Sequence, residues 1–380
     1  MKRMALAPYL VSSMVAVTLN CQGFGVVADH PTTRTYYVAA DEVDWNYVPA
    51  DSDLTFGRPL PKQVYAIENA PPVMATTFHK AVYHRYTDST FTTRMPRPPK
   101  WRHLGILGPV LRGAVGDTIV VIFRNNTSFP ASMHPHGVSY TKSSEGALYS
   151  DGTSGADKLD DSVPPGGTHR YVWPIPERAG PGPNDPSSII WPYHSHTDEL
   201  RDVYTGLIGA IIVTRRGMAR PDGSPRDVDR EFVTLFASFN ENNTHFTAIN
   251  RKRYLGDTTL MGPKGPRLFH QTQYHTINGL MYGNAGLDAF TMRQGERVRW
   301  YLFSSTGFDD FHTPHWHGNT VLVHGQREDV VDLSGPLKML EADMVADNPG
   351  IWLFHCHFGE HTVEGMSTRY RVLPVDSAGT

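Results

Sequence analysis

The sequence runs to 380 residues, enough for two ordinary domains with sizeable cores. Hydrophobic residues make up 39%, charged residues 19%, and the formal net charge is -3. This balance excludes an intrinsically disordered chain, and it excludes a nucleic-acid surface, which needs a strong basic excess.

At the N-terminus, Lys2 and Arg3 precede a mostly apolar run from Met4 to Leu19, and small residues follow. The pattern predicts a secretory signal peptide over residues 1–28, cleaved after Ala28, where Val26 and Ala28 approximate the small-x-small signal. A lipoprotein leader ending at Cys21 is disfavoured by Asn20, which stands where a small residue is needed. The run is too short, and too interrupted by Pro8 and Ser12-Ser13, to read as a spanning helix. An exported protein is therefore expected, periplasmic or extracellular. Loss of the leader removes Cys21 and leaves Cys356 as the only thiol, with no partner for an internal disulfide. In an oxidising compartment a metal is its natural occupant.

Short alternating or apolar runs bounded by Gly, Pro and Asn follow along the chain. They include Thr118–Arg124, Leu207–Thr214, Phe232–Phe239, Arg297–Phe303 and Ile351–His355. Their lengths suit strands, and the 34 Gly and 29 Pro suit many turns, so an all-β chain of sandwich domains is predicted. An internal repeat divides it. Gly116-Asp117-Thr118 and Gly295-Glu296-Arg297 each open a strand. His134-Pro135-His136-Gly137 follows the first, and His315-Trp316-His317-Gly318 follows the second. His194-Ser195-His196 and His355-Cys356-His357 then close the two halves in the same order. Two copies of one domain are implied, over 29–216 and 231–380. The charged, Pro/Gly-containing stretch 217–230 reads as the linker.

His-x-His on a strand puts both imidazoles on one face, so one segment can offer two ligands to one metal cluster. A single pair is as often an ordinary polar strand position. Four pairs placed symmetrically in two repeats, His134/His136, His194/His196, His315/His317 and His355/His357, point to metal. The fourth pair encloses Cys356 and is followed by His361 and Met366, while His312 precedes the third. Two imidazoles, one thiolate and a weak thioether form the blue-copper ligand set. His312, Cys356 and His361 supply its strong ligands and Met366 the axial one. The eight paired His suit three coppers with open positions for oxygen, making four coppers per chain. Because Cys356 sits between His355 and His357, electrons can pass between the two sites through a few covalent bonds.

At these residues the sequence resembles the multicopper oxidases, through HPHG, HSH, HTPHWHG and HCHFGEHTVEGM. A finer likeness is to the ceruloplasmin and hephaestin branch, carried by RTYYVAADEVDW, YTDSTF, HGVSYTKSSEGALY, INGLMYG and GMSTRYRVL. The resemblance implies two cupredoxin-like Greek-key β-sandwich domains. It implies a type 2 copper on His134 and His315. It implies a type 3 pair on His136, His194, His196, His317, His355 and His357. It implies a type 1 copper on His312, Cys356, His361 and Met366. Ser195 stands where a first-domain type 1 cysteine would be, so only the second domain carries a blue site. The family's two-domain members are homotrimers with the trinuclear site between subunits, and the same is expected here.

The reductant is less legible. The resemblance places an iron-holding acid at Glu360 and an iron-site histidine at His275. His270 stands where the family has Glu, a departure. A phenolic, laccase-like reductant is the favoured expectation, with ferroxidase activity beside it, and copper or manganese oxidation would use the same centres. Asp151, Asp157, Asp160 and Asp161 lie where related domains hold calcium, although an acidic loop facing solvent reads the same way. Glu145 and Asp198 are candidates to orient a His or relay protons. A two-domain copper nitrite reductase is the rival reading. It would need fewer His, and its Cys would not lie between two His ligands.

Overall fold

The structure is a computed structural model and describes residues 30–60, 75–254, 273–307 and 311–375. The leader, Cys21 and His270 lie outside the described residues. No helix among them is long and apolar enough to cross a membrane.

The repeat in sequence is a repeat in topology. In the first half, strand Thr33–Asn46 runs parallel to Thr118–Asn125 and antiparallel to Thr77–Tyr86. In the second half, Arg230–Asn240 runs parallel to Arg297–Ser304 and antiparallel to Gln273–Ile277. Each half faces this sheet with a second one. That sheet is ordered Leu111–Ala114, Ile208–Thr214, Ser188–His194, His134–Pro135 in the first half. It is ordered Thr291–Arg293, Ser367–Leu373, Gly350–Cys356, Pro314–Trp316 in the second. The five runs expected as strands all are, within one or two residues at their ends. Their inward residues make one core per half. Phe123, Tyr171 and Trp173 centre the first, and Trp300, Trp316 and Phe354 the second. Both are cupredoxin-like β-sandwiches packed sheet against sheet.

A third apolar cluster joins the halves, with Val82, Ile190 and Ile212 from one side and Val233, Leu235 and Phe303 from the other. Polar groups are buried in the same seam and are paired across it. Lys80 is fully buried, with its ammonium 2.5 Å from Glu241 and 2.7 Å from the Tyr204 carbonyl. Arg112 binds Glu231 through both guanidinium arms, Tyr301 links Glu231 to Ser188, and Arg299 reaches Ser187, Ser188 and Asp343. The stretch between the halves is itself held down, with Arg34 donating to the Pro221 carbonyl and Thr214 to that of Gly223.

Glu341 is a strongly perturbed acid of the seam. Its carboxylate accepts the Ile190 N–H at 2.7 Å. Burial pushes its pKa up to about 7, Asp185 and Asp343 add to the rise, and Ile190 N–H and Arg299 oppose it. A folded value above the unfolded 4.5 means the folded state holds the proton more tightly. The stability tied to that proton is complete below pH 4.5 and is lost as pH rises towards 7. Glu341→Gln keeps an acceptor for Ile190 and removes the titration. Urea unfolding should show variant and parent alike at pH 4, and the variant more stable at pH 8 by on the order of 2–3 kcal/mol. An equal difference at both pH values would reject this account.

Candidate metal centre

The repeated sheets place the histidines. In the second half, Pro314–Trp316 pairs with Gly350–Cys356 so that His315 lies opposite His355 and Pro314 opposite Cys356. In the first half, His134 lies opposite His194 in the same way. The glycine ending each His-x-His-Gly motif is needed for contact. Gly137 and Gly318 have φ of +72° and +76°, and a Cβ on either would strike Trp191 or Trp352. Each turn therefore closes onto a tryptophan face and aims its second histidine at the strand pair.

Two histidine quartets result. Ring centroids of His134, His136, His194 and His196 lie 5.2–5.7 Å apart where they touch, and those of His315, His317, His355 and His357 lie 4.6–5.5 Å apart. Nε2 atoms face each other at 3.0 Å between His136 and His194, and at 3.2 Å between His317 and His355. Among the described residues, no ring of one quartet contacts a ring of the other.

Backbone carbonyls select the nitrogen that four of the eight rings offer. His134 Nδ1 lies 2.6 Å from the Glu145 carbonyl, and His315 Nδ1 lies 2.8 Å from that of Asp329. His194 and His355 meet the carbonyls of Ser195 and Cys356 at 3.0 and 2.8 Å. An Nδ1–H held this way leaves Nε2 as the free lone pair, which a metal needs. Burial first, and then the neighbouring imidazoles, pull His136 and His355 down to about 4. Neutral imidazole, the form that binds metal, is thus favoured before any ion arrives.

The third cluster is the buried trio His312, Cys356 and His361, whose ligand atoms lie within 4.8 Å of one another. His312 and His361 approach at 3.2 Å through Nδ1, and His361 Nδ1 lies 3.7 Å from Cys356 Sγ. Burial opposes a thiolate at Cys356. The His312 hydrogen bond and charge, with the Thr313 and Phe358 amides, outweigh it and lower the thiol's pKa. Burial, then His275 and His312, hold His361 down to about 2. Met366 is fully buried in the same core, and its carbonyl accepts the Cys356 N–H. The soft and imidazole donors fit copper in its thiolate-bound form.

Beside this trio lies a group that sequence reading half found. His275 is buried in strand Gln273–Ile277, stacked on His361 with ring centroids 4.3 Å apart. Ser238 contacts its Nδ1 at 2.8 Å and Glu364 its Nε2 at 2.9 Å. Glu364 was missed, although it stands three residues after His361 inside the copper motif. Glu360 is exposed on the short helix Gly359–Val363.

Among the described residues, the first half has no counterpart of the trio. Ser195 replaces the cysteine and donates to the fully buried Asp202 at 2.6 Å. Asp202 also receives the Thr197 and Asp198 N–H groups and binds His245 Nε2 at 2.6 Å. The buried acid here is Asp202, while Asp198 is exposed beside Arg201. Glu145 serves His134 through its carbonyl, its carboxylate being bound by Lys142 and Tyr149. In the acidic loop, Lys158 bridges Asp151 and Asp161, and Lys142 also meets Asp151. Asp160 is fully buried and one of its carboxylate oxygens has no hydrogen-bond partner.

Comparison with known proteins agrees with this geometry. Multicopper oxidase family models match residues 103–217 and 260–376. Human ferroxidase HEPHL1 is 41% identical over 90% of this chain and 29% of its own length. Human hephaestin is 38% identical over 90% and 29%, and human ceruloplasmin 36% over 90% and 31%. The chain thus spans less than a third of these relatives. Among solved structures, a multicopper oxidase superposes with TM-score 0.55 at 19% identity, covering 90% of both chains. A blue copper oxidase from Nitrosomonas europaea gives 0.56 at 18%, covering 90% of this chain and 86% of its own. These likenesses concern the fold.

Proposed function

The chain belongs to the multicopper oxidase family, and on that footing we propose that it oxidises a reductant one electron at a time and delivers the electrons to dioxygen. The observation that carries this reading is continuity. Cys356 belongs to the buried trio, while its chain neighbours His355 and His357 belong to a quartet. In this reading His312, Cys356, His361 and Met366 hold the type 1 copper. His134 and His315 hold the type 2 copper, and His136, His194, His196, His317, His355 and His357 the type 3 pair. Copper bound there supplies one-electron acceptance and the four-electron reduction of dioxygen to water. The chain's own part is to turn the Nε2 lone pairs of His134, His194, His315 and His355 outward for metal, to bury the thiolate, and to set the two places one residue apart.

Four coppers per chain are part of the proposal, and export as a secreted or periplasmic protein is another. So is a homotrimer. Each quartet is half a ligand set, and apolar side chains are exposed near both, Tyr140, Leu148 and Tyr149 by the first and Phe358 by the second. A neighbour's second half covering the first half would bury both patches and complete the cluster. Calcium at the Asp160 loop would satisfy that residue's unpaired oxygen, in competition with Lys158.

The reductant we favour is ferrous iron, with phenols as the second substrate class. The His275–Glu364 pair supports iron, since an imidazole and a carboxylate 2.9 Å apart are spaced as adjacent ligands of one cation. Glu364 would replace the acid that position 270 lacks, and Glu360 would add an oxygen at the mouth. Oxygen uptake by copper-loaded protein, with ferrous iron and with a dimethoxyphenol supplied separately, tests this. Glu364→Ala should raise the KM for iron about tenfold or more and leave the phenol reaction unchanged. An equal loss with both reductants would refute the iron site, and no uptake with either would refute the oxidase.

A further inference from the structure

A hydroxyl sits in the contact between the two copper places. The His355 Nδ1–H donates to the Cys356 carbonyl at 2.8 Å. The same nitrogen lies 3.1 Å from Thr362 Oγ1, and the Thr362 hydroxyl donates to that same Cys356 carbonyl. Carbonyl, imidazole and hydroxyl close a triangle. A threonine on a helix commonly bonds back to the carbonyl four residues earlier, and Thr362 does reach Phe358 at 3.4 Å. The bond to Cys356 spans six residues and is not explained by that habit.

The first half is an internal control. His194 Nδ1 makes the same contact with the Ser195 carbonyl, at 3.0 Å, so that bond belongs to the fold and not to electron transfer. Counting five residues beyond the second histidine, as from His357 to Thr362, reaches Arg201, which turns to Asp198. The hydroxyl occurs in the half that has cysteine and is replaced in the half that does not.

We propose that Thr362 is a positioning residue for electron transfer from Cys356 to the histidine quartet, an inference that rests on the oxidase reading above. Two routes leave Cys356 for His355. One follows the backbone bonds, and the other jumps from the Cys356 carbonyl to the His355 ring across one hydrogen bond. Electronic coupling through a hydrogen bond falls steeply as it lengthens. The Thr362 hydroxyl anchors both ends of that bond and polarises its acceptor. The electron crosses while the Nδ1 proton stays in place, so no covalent bond forms or breaks. The ring orientation that frees Nε2 is kept by the same contact.

The test is anaerobic reduction of the copper-loaded full chain by rapid mixing. Bleaching of the blue band reports electron entry, and loss of the near-ultraviolet band of the oxygen site reports internal transfer. Thr362→Val should keep the copper content and the blue band, and slow the internal transfer about tenfold or more. Thr362→Ser should restore it. Parental transfer in the valine variant would overturn the inference, as would a serine variant as slow as valine. Loss of the blue band in the valine variant would assign Thr362 to holding the metal, and would overturn it too. A parent with no blue band would overturn the oxidase reading and this inference with it.

Discussion

Cys356→Ser is expected to abolish the blue absorption, lower the copper content by one per chain, and cut oxygen uptake with either reductant by more than about a hundredfold. The expected loss exceeds the 10–100-fold typical of an outlying partner, because in the proposed reading the thiolate is both ligand and conduit. A serine oxygen is a poor copper ligand and leaves no polarisable sulfur to carry the electron. The fold should survive. Ser195 occupies the matching place in the first half, where it is fully buried and hydrogen-bonded. His355 and His357 remain in their quartet, so the three other coppers should bind. Absorption, metal analysis and oxygen uptake on one sample check the result. Retained colour with retained uptake would show that Cys356 is not the entry ligand.

The second large effect concerns assembly. His194→Ala should also abolish oxygen reduction, since it removes the fully buried histidine of the first quartet, a copper ligand in the proposed reading. Its blue band should persist, because the trio is untouched. Mixing inactive Cys356→Ser and His194→Ala chains, unfolded and refolded together, discriminates the arrangements. If each oxygen site joins the first half of one chain to the second half of its neighbour, random mixing at equal amounts restores about a quarter of the sites. If each site lies within one chain, no mixture is active. Oxygen uptake of the mixture, against the two variants refolded apart, gives the answer.

Much of the site was legible in the chain. The His-x-His pairs announce themselves because a strand alternates its faces, so two ligands two residues apart must point one way. The repeat was legible because the same strand, turn and pair recur in order. The glycine after each pair could be flagged, but that it closes on Trp191 or Trp352 could not. Those rings come from strands 54 and 34 residues further on, by the sequence numbering. Ser195 was legible as a serine standing where the second half has Cys356. That His245 and Asp202 fill the vacated space was not, because His245 arrives from the other half.

By itself, then, the sequence determined the chemistry on offer: which donors exist, in what order, and with what alternation along strands. Those properties are local, set by side-chain identity and by the period of an extended chain. The tertiary structure alone decided which nitrogen His134 and His315 present, since the carbonyls of Glu145 and Asp329 that fix it belong to facing loops. It alone brought Glu364 to His275 and closed the triangle at Thr362. It alone kept the two quartets from touching within the described chain. Such contacts depend on how sheets stack and loops return, and hydrogen bonds between distant segments leave no period in the sequence to read.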